Sequence, residues 1–570
     1  MSNIIATDTD IADDIIAEAS WNIDSSDIWD HWVMPDSDPR KTQVEVLDWL
    51  SGIGADKRHV IVEAPVGAGK SPIALTFASF LGQGHMGSSY ILTPQRILQR
   101  QYEESFDDGR LLSVYGKANY MCNMKVGLNC DDGSDIKPKC KNCPASDAIN
   151  AIGTTPHVVL NYKLALLYAE ILYGTDMFPT KDLAVFDECH TLESHLVNHR
   201  ALEITRKRCE KHKIVFYQPD DLSDAHGWLR EDYLPPIGEA VVELELRVKA
   251  IDNKYNASGS SALLPDEIRA KREYKRLKRH YDLVKEMAEH DTSYLNNQYV
   301  LVTDRNEKMT FKEIYGRRIF RNTMGHIANR FLHMSSTVLN ADAYARDLGI
   351  EPDEVAVTSL PSEFDVNNRP VYFMPTAKMS YGWNNPKDPE KAKLRQKMID
   401  QVVKLCKDMH PEESGIIHTG SFQIAKWLID EIQSLVPQKI ITHKSDEPET
   451  RDECIEEFTS NNGEVPMLLI SPSLTEGLDL KDEQARFCIF VKVPYPFLGD
   501  EWVKRRLDLS DEWYQRQAMT AIIQGGGRIV RGPEDYGNTY ILDESFGFLW
   551  FKYKDRAPIW WKDGFTRINK

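Results

Sequence analysis

The chain is 570 residues long, which at about 150 residues per domain allows roughly four domains and excludes a peptide or a single small module. Apolar residues make up 42% and charged residues 27%, an ordinary globular balance with no collagen-like or low-complexity bias. With 69 Lys and Arg against 87 Asp and Glu, the formal charge is -18. This excludes a uniformly basic, histone-like or membrane-coating protein and confines any nucleic-acid site to a local groove.

In chain order, residues 1–39 are acidic and show no sustained period, so a poorly ordered or loosely docked extension is expected. The start, Met1-Ser2-Asn3-Ile4 followed by Asp8, Asp10, Asp13 and Asp14, lacks the basic flank and apolar core of a secretion signal. Nowhere does the sequence hold the run of about 18 apolar residues that a membrane span needs. Nine cysteines in this length suit a reducing compartment better than a disulfide framework. A cytoplasmic protein with no membrane partner is expected.

From Arg40 the character changes. Short β-rich runs at His59 to Glu63, Tyr90 to Thr93 and Leu183 to Phe186 each end in a polar loop and alternate with helix-like segments, predicting a parallel α/β sheet. Ala201 to Gln298 is highly charged, with Tyr274, Leu277, Tyr281, Val284 and Ala288 at three- and four-residue spacing, as in an inserted helical domain. There Arg269, Lys271, Arg272, Lys275, Arg276, Lys278 and Arg279 form either a solvated helix face or a face that steers a nucleic-acid strand. Arg317, Arg318, Arg321 and Arg330 offer a second cluster. Past Asp365 the alternation resumes, with strands at Gly415 to Thr419, Met467 to Ser471, Phe487 to Lys492 and Asn538 to Asp543, predicting a second α/β domain.

Three segments carry chemistry. Ala64-Pro65-Val66-Gly67-Ala68-Gly69-Lys70-Ser71 lies between a strand and a helix opened by Pro72, the context of a phosphate-binding loop. Backbone N–H groups freed by Gly67 and Gly69 would approach phosphates across Ala68, Lys70 would reach the β- and γ-phosphates, and Ser71 would ligate Mg²⁺. Ala64 stands where the simplest motif has Gly. Asp187-Glu188-Cys189-His190 ends an apolar run and delivers two carboxylates to a sheet edge, Asp187 for Mg²⁺ and Glu188 for the attacking water. Gln524-Gly525-Gly526-Gly527-Arg528-Ile529-Val530-Arg531 sets two arginines three residues apart, on one face if helical, where they can meet a γ-phosphate from a second domain.

Cys122, Cys130, Cys140 and Cys143 fall within 22 positions, enough ligands for one tetrathiolate centre, either a [4Fe-4S] cluster or Zn²⁺. Only Cys140 and Cys143 make the C-x-x-C knuckle that zinc sites usually use twice.

Together these segments resemble the superfamily 2 helicases of the XPD/DinG group, from about Arg40 to Asp543. Beyond the P-loop and a DECH variant of the DEAH box, Thr93-Pro94 resembles motif Ia, Ser335-Ser336-Thr337 motif III and Gly415 to Ser421 motif IV. Thr475-Glu476-Gly477-Leu478-Asp479 resembles motif V, Val493-Pro494-Tyr495-Pro496 the group's proline-aromatic-proline turn, and Gln524 to Arg531 motif VI. Lys117 to Cys122 resembles the group's lead into its first cluster cysteine, which favours iron–sulfur over zinc. Cys189 and Ser336 each replace the Ala of the usual motif.

The resemblance implies two RecA-like domains with ATP between them. The expected division is an extension (1–39), a first motor domain in three parts (40–105, 155–197 and 325–363), a cluster insertion (106–154), a helical arch insertion (198–324) and a second motor domain (364–570). It further implies that Gln43 contacts adenine and that Asp479 belongs to the nucleotide site. Gln524, Arg528 and Arg531 would contact the γ-phosphate, while His190, Ser335 and Thr337 would couple hydrolysis to movement. Thr93, Thr419, Ser421 and Thr475 are weaker candidates for the nucleic-acid backbone, and Tyr120 for base stacking. The implied activity is that of a monomeric, ATP-dependent DNA helicase, 5′ to 3′, on single-stranded and forked DNA. A translocase without processive unwinding and a silent nucleic-acid-binding scaffold are the rivals.

Overall fold

Short apolar runs buried on both faces become the parallel strands of two sheets. The computed structural model describes residues 27–52, 56–82, 87–106, 109–124, 127–133, 140, 142–258, 265–304, 307–379, 382–383, 388–444, 449–472, 480 and 482–568. The first strands are β1 (His59–Glu63), β2 (Ser89–Thr93), β3 (Leu111–Ser113), β4 (His157–Asn161) and β5 (Lys181–Asp187). Then come β6 (Leu202–Thr205), β7 (Tyr299–Asp304) and β8 (Lys308–Glu313), followed by β9 (Ala328–Ser335) and β10 (Val355–Ser359). The remainder are β11 (Val371–Ala377), β12 (Gly415–His418), β13 (Lys439–Ile441), β14 (Met467–Ser471), β15 (Phe487–Phe490), β16 (Asn538–Asp543) and β17 (Phe565–Arg567).

The first sheet has the order β10-β1-β9-β5-β2-β4-β3 and the second β13-β14-β12-β15-β16-β11-β17. Every pairing in both is parallel. Two parallel α/β domains are therefore present, as the alternation predicts. The centre of the first sheet includes β9, which the sequence reading did not anticipate. Its register sets Glu63 of β1 beside Ser335 and Asp187 of β5 beside Met334, so three strand ends meet at one carboxyl edge.

The stretch expected to be wholly helical also contains the three-stranded antiparallel sheet β6-β8-β7. Two 25-residue helices, Leu234–Ser258 and Pro265–Glu289, pack against each other. The second buries Leu277, Val284 and Ala288 against Trp228, Tyr233 and Ile237, the stripe its periodicity predicts. Its cations are substantially ion-paired: Lys271 with Asp252 at 2.6 Å, Arg269 with Asp266 at 3.7 Å and Arg279 with Glu170 at 3.5 Å, while Lys278 pairs with Asp282. Arg318 of the second basic cluster is held by Glu313 at 2.5 Å.

Residues 27–39 correct the expectation of a loose extension. A short helix, Ile28–His31, buries Ile28 in the first domain's core, and Trp29, Trp32, Val33 and Met34 pack around it. The Trp29 indole N–H donates to Asp48 at 2.9 Å. Residues 1–26 lie outside the described residues.

A buried charge cluster joins the two halves. Arg506, 1% exposed on the helix Glu501–Leu509, pairs with Glu193 of the helix Leu192–His199 and donates to the Ile314 carbonyl at 2.8 Å. Asp347 lies 3.4 Å from Arg506 and also pairs with Arg516. The Arg506 guanidinium sits over the Tyr315 and Trp513 rings, 4.5 and 4.7 Å from their centroids.

Candidate nucleotide site and interdomain relay

The P-loop forms because β1 ends at Glu63 and the helix Lys70–Leu81 begins seven residues later, with left-handed backbone at Gly67 (φ 79°) and Gly69 (φ 72°). A Cβ at Gly69 would stand 2.3 Å from the Gln43 amide, and one at Gly67 2.4 Å from the Phe364 ring. Both positions therefore exclude larger residues. Gln43 braces the loop from behind: its amide N–H donates to the Gly69 carbonyl at 3.3 Å, and its carbonyl accepts from the Arg40 backbone at 2.8 Å. It is buried and does not line the cleft, so in this arrangement it supports the phosphate loop rather than facing a base.

Glu63 supports the loop from the strand. Its buried carboxylate accepts from Val338 N–H at 2.7 Å, Leu339 N–H at 3.0 Å and the Ser359 hydroxyl at 2.9 Å. That fixes the turn after Ser335-Ser336-Thr337, where Leu339 has φ of 63°. An acid ending an apolar strand directly before a glycine loop could have been noticed in the sequence.

Asp187 and Glu188 point into the same cleft because Glu188 adopts left-handed backbone, φ 50° and ψ 48°. A non-glycine residue held there signals local over-determination of the kind found at functional sites. The Lys70 ammonium lies 3.2 Å from Glu188 Oε1. Burial alone would raise the Glu188 carboxyl, but Lys70, His190 and Arg528 outweigh it and hold it well below the usual carboxylate range. For Asp187 burial prevails over Lys70 and, with the neighbouring Glu188 charge, raises it. The two adjacent acids are thus electrostatically distinct.

From this pair a line of polar contacts crosses to the second sheet, its first step the ion-pair approach of His190 to Glu188 and the later ones hydrogen bonds. His190 Nδ1 lies 3.4 Å from Glu188 Oε2 and 2.9 Å from the Ser335 hydroxyl. Ser335 Oγ accepts from Thr337 N–H at 3.0 Å. The Gln524 amide, on the helix Asp511–Gly526, donates to both Ser336 Oγ and Thr337 Oγ1 at 3.0 Å. Ser336, a departure from the usual alanine, thus supplies an extra acceptor, and Trp560 secures its carbonyl through an indole N–H at 3.0 Å. Trp560 lies beyond all the motifs and carried no signal in the sequence.

The helix bearing Gln524 ends at Gly526, so Arg528 and Arg531 do not share a helix face as the three-residue spacing suggests. The glycines end the helix and turn both arginines into a cleft of about 1090 Å³ with the P-loop, Asp187, Glu188, His190 and Gln524. The Arg531 backbone N–H is held by Asp535 at 2.8 Å.

Three of the four backbone-contact candidates make hydrogen bonds within their own strand ends and loops. Thr93 and Thr419 are fully buried, each donating to the carbonyl two residues on, and Ser421 caps the helix Phe422–Ile432. A side-chain contact from either threonine would require the strand end to open. Thr475 and Asp479 lie outside the described residues. Tyr120, half-buried, accepts the Tyr115 backbone N–H at 3.0 Å and meets the Tyr115 ring edge-on.

Around Tyr120 three of the four cysteines approach one another. An isolated bridge pairs Met121 with Asn129, setting Cys122 and Cys130 on facing arms. The Cys130 thiol donates to the Met121 carbonyl at 3.4 Å, and Cys143 and Cys122 are near enough to act on it electrostatically. Asn123 ties the hairpin to the Asn142 carbonyl at 2.9 Å, while Cys140 adjoins undescribed residues. Among the described residues no three Cys, His, Asp or Glu side chains stand at metal-ligand spacing, so a closed tetrathiolate is not formed here.

A P-loop, a paired-acid strand end and arginines from a second parallel sheet, all in one cleft, define a two-sheet nucleoside-triphosphatase motor. Residues 36–216 match the family model described as the type III restriction enzyme res subunit, and residues 402–564 the helicase C-terminal domain. A rice regulator of telomere elongation helicase 1 homolog is 26% identical over 190 residues, covering 29% of this chain and 17% of the relative. The human regulator of telomere elongation helicase 1 is 32% identical over 102 residues, covering 15% of this chain and 8% of the relative. The chain thus spans only a small part of these relatives. An XPD helicase structure shares the fold with a TM-score of 0.56 at 14% identity, covering 93% of this chain and 99% of its own. Xpd4 of S. tokodaii does so with a TM-score of 0.53 at 14% identity, covering 93% and 100%. The chain thus matches the helicase C-terminal family model over residues 402–564 and shares the fold of solved XPD structures.

Among the described residues no helix is long and apolar enough to cross a membrane.

Replacing Glu188 by Gln keeps its shape while removing the charge that Lys70 and His190 face. Hydrolysis of ATP should fall about 10²- to 10⁴-fold with nucleotide affinity retained, measured as steady-state phosphate release and equilibrium binding. A variant with near-normal turnover would exclude Glu188 from the chemistry.

Proposed function

We propose that this chain is an ATP-driven DNA helicase that translocates 5′ to 3′ on single-stranded DNA and opens forked duplexes in replication, repair or recombination. The observation that carries the reading is the path from Glu188 through His190, Ser335 and Thr337 to Gln524, which ties the hydrolytic acid to the opposite sheet. Ser71 and Asp187 are the residues that would hold Mg²⁺, which when bound neutralises charge on the β- and γ-phosphate oxygens. A triphosphate in the cleft competes with Glu188 for Lys70, releasing the carboxylate toward water. Arg528 and Arg531 complete the site from the second domain, so hydrolysis depends on how the two sheets stand. The polarity and the DNA substrate follow from the family resemblance.

The four cysteines supply the thiolate donors that a soft-metal centre takes. We infer that they hold a [4Fe-4S] cluster, which when bound would supply folding energy to a segment poor in apolar residues. Anaerobically purified protein is then expected to be brown and to contain iron. A colourless preparation with one zinc per chain would contradict this.

The motor itself is tested by ATP-driven strand displacement on otherwise identical duplexes with a 5′ or a 3′ single-stranded tail, with Lys70→Ala as control. Unwinding from the 5′ tail only, lost in the variant, is expected. DNA-stimulated hydrolysis without unwinding would point to a translocase, and absent hydrolysis to a scaffold.

A further inference from the structure

Asp187 is held at both of its ends by tyrosines that no motif contains. Tyr162, on the helix Tyr162–Ile171, donates its hydroxyl to the Asp187 backbone carbonyl at 2.7 Å. Tyr102, on the helix Arg96–Ser105, places its hydroxyl 3.4 Å from Asp187 Oδ2. The Ser71 hydroxyl is near enough to bear on the same phenol. Tyr102 is 2% exposed, and its ring packs in the core beneath the P-loop, so its hydroxyl cannot swing away. The other Asp187 oxygen accepts the Glu188 backbone N–H at 3.0 Å, which completes the orientation of the carboxylate.

The phenol therefore bonds one oxygen ligand assigned to Mg²⁺, from the acidic strand end, and stands near the other, from the P-loop. Separate elements carry the two: Ser71 opens a helix, whereas Asp187 ends β5. Nothing covalent nearby fixes their separation. Residues that hydrogen-bond to metal ligands set ligand orientation, and their loss typically weakens metal affinity about 10- to 100-fold. The separation of 3.4 Å is long for an O–H···O bond, as is common at catalytic hydrogen bonds that tighten only in the loaded state.

We propose that Tyr102 is a positioning residue that orients the Asp187 carboxylate beside Ser71 and so tunes divalent-cation affinity in the nucleotide site. This rests on the reading of Ser71 and Asp187 as the Mg²⁺ holders. The signal in the sequence was absent because a tyrosine on an amphipathic helix reads as core.

The test measures binding of a fluorescent ATP analogue to the whole chain, first in EDTA and then across a Mg²⁺ titration, for the parent and for Tyr102→Phe and Tyr102→His. The Phe variant should bind the analogue in EDTA as the parent does, while its Mg²⁺ half-point rises about tenfold. The His variant, which keeps a donor, should rise less. Equal half-points in the parent and the Phe variant would overturn the proposal, as would an equal loss of binding in EDTA. A fall of more than about 5 °C in the Phe variant's melting temperature would overturn it too, since the hydroxyl would then serve the fold. If the parent itself showed no Mg²⁺ response, the assignment of Ser71 and Asp187 would fail first, and the role of Tyr102 with it.

Discussion

The reach of Gln524 across the cleft to Ser336 and Thr337 is the contact on which the functional geometry depends. Each sheet alone holds only part of the site. The first supplies Lys70, Ser71, Asp187 and Glu188, and the second supplies Arg528 and Arg531. The amide of one glutamine sits where the two meet, and its acceptors belong to the loop that Glu63 clamps against the P-loop strand. A small shift of the second sheet would therefore be felt at His190 through hydrogen bonds of 3.0 Å or shorter, and at Glu188 through the 3.4 Å charge contact with His190. Such a chain behaves as a unit because its members share partners.

The second constraint is mechanical. Arg506 joins the helix that follows the DECH box, the return of the inserted segment at Ile314 and Tyr315, and the second sheet. A buried guanidinium facing two carboxylates and two aromatic rings is costly to strip of one partner, by about 3–5 kcal/mol. The cluster therefore fixes one relative arrangement of the halves rather than adding generic stability. Because Glu193 lies five residues past Glu188, strain at this joint reaches Glu188 by a short stretch of chain.

How much of this was legible follows from what kind of signal each residue gives. Lys70, Asp187 and Glu188 could be brought to one cleft from sequence because a glycine loop between strand and helix and an acidic strand end are local patterns. β14 and β16 were bounded to the residue by apolar runs with polar ends. β9 was not, although Ser335 at its end was singled out, because its run is interrupted by Arg330 and His333. The helix expected under Arg528 and Arg531 ends instead at three glycines, a stop signal that the three-residue spacing masked. Ile28 and the tryptophans beside it were lost in an acidic composition, which reports solvent exposure on average and not the one apolar face that docks. Tyr102, Trp560 and Arg506 act through tertiary proximity alone, and no local pattern marks them.

A double-mutant cycle on ATP turnover between His190→Ala and Gln524→Ala bears most directly on the relay, since the path between these residues runs through Ser335 and Thr337. The account predicts that the second substitution costs far less once the first is present, with a coupling energy of about 0.5–3 kcal/mol. Additive effects, within about 0.5 kcal/mol, would show that the two ends act independently and would contradict the claim that one connected path links the acid to the opposite sheet.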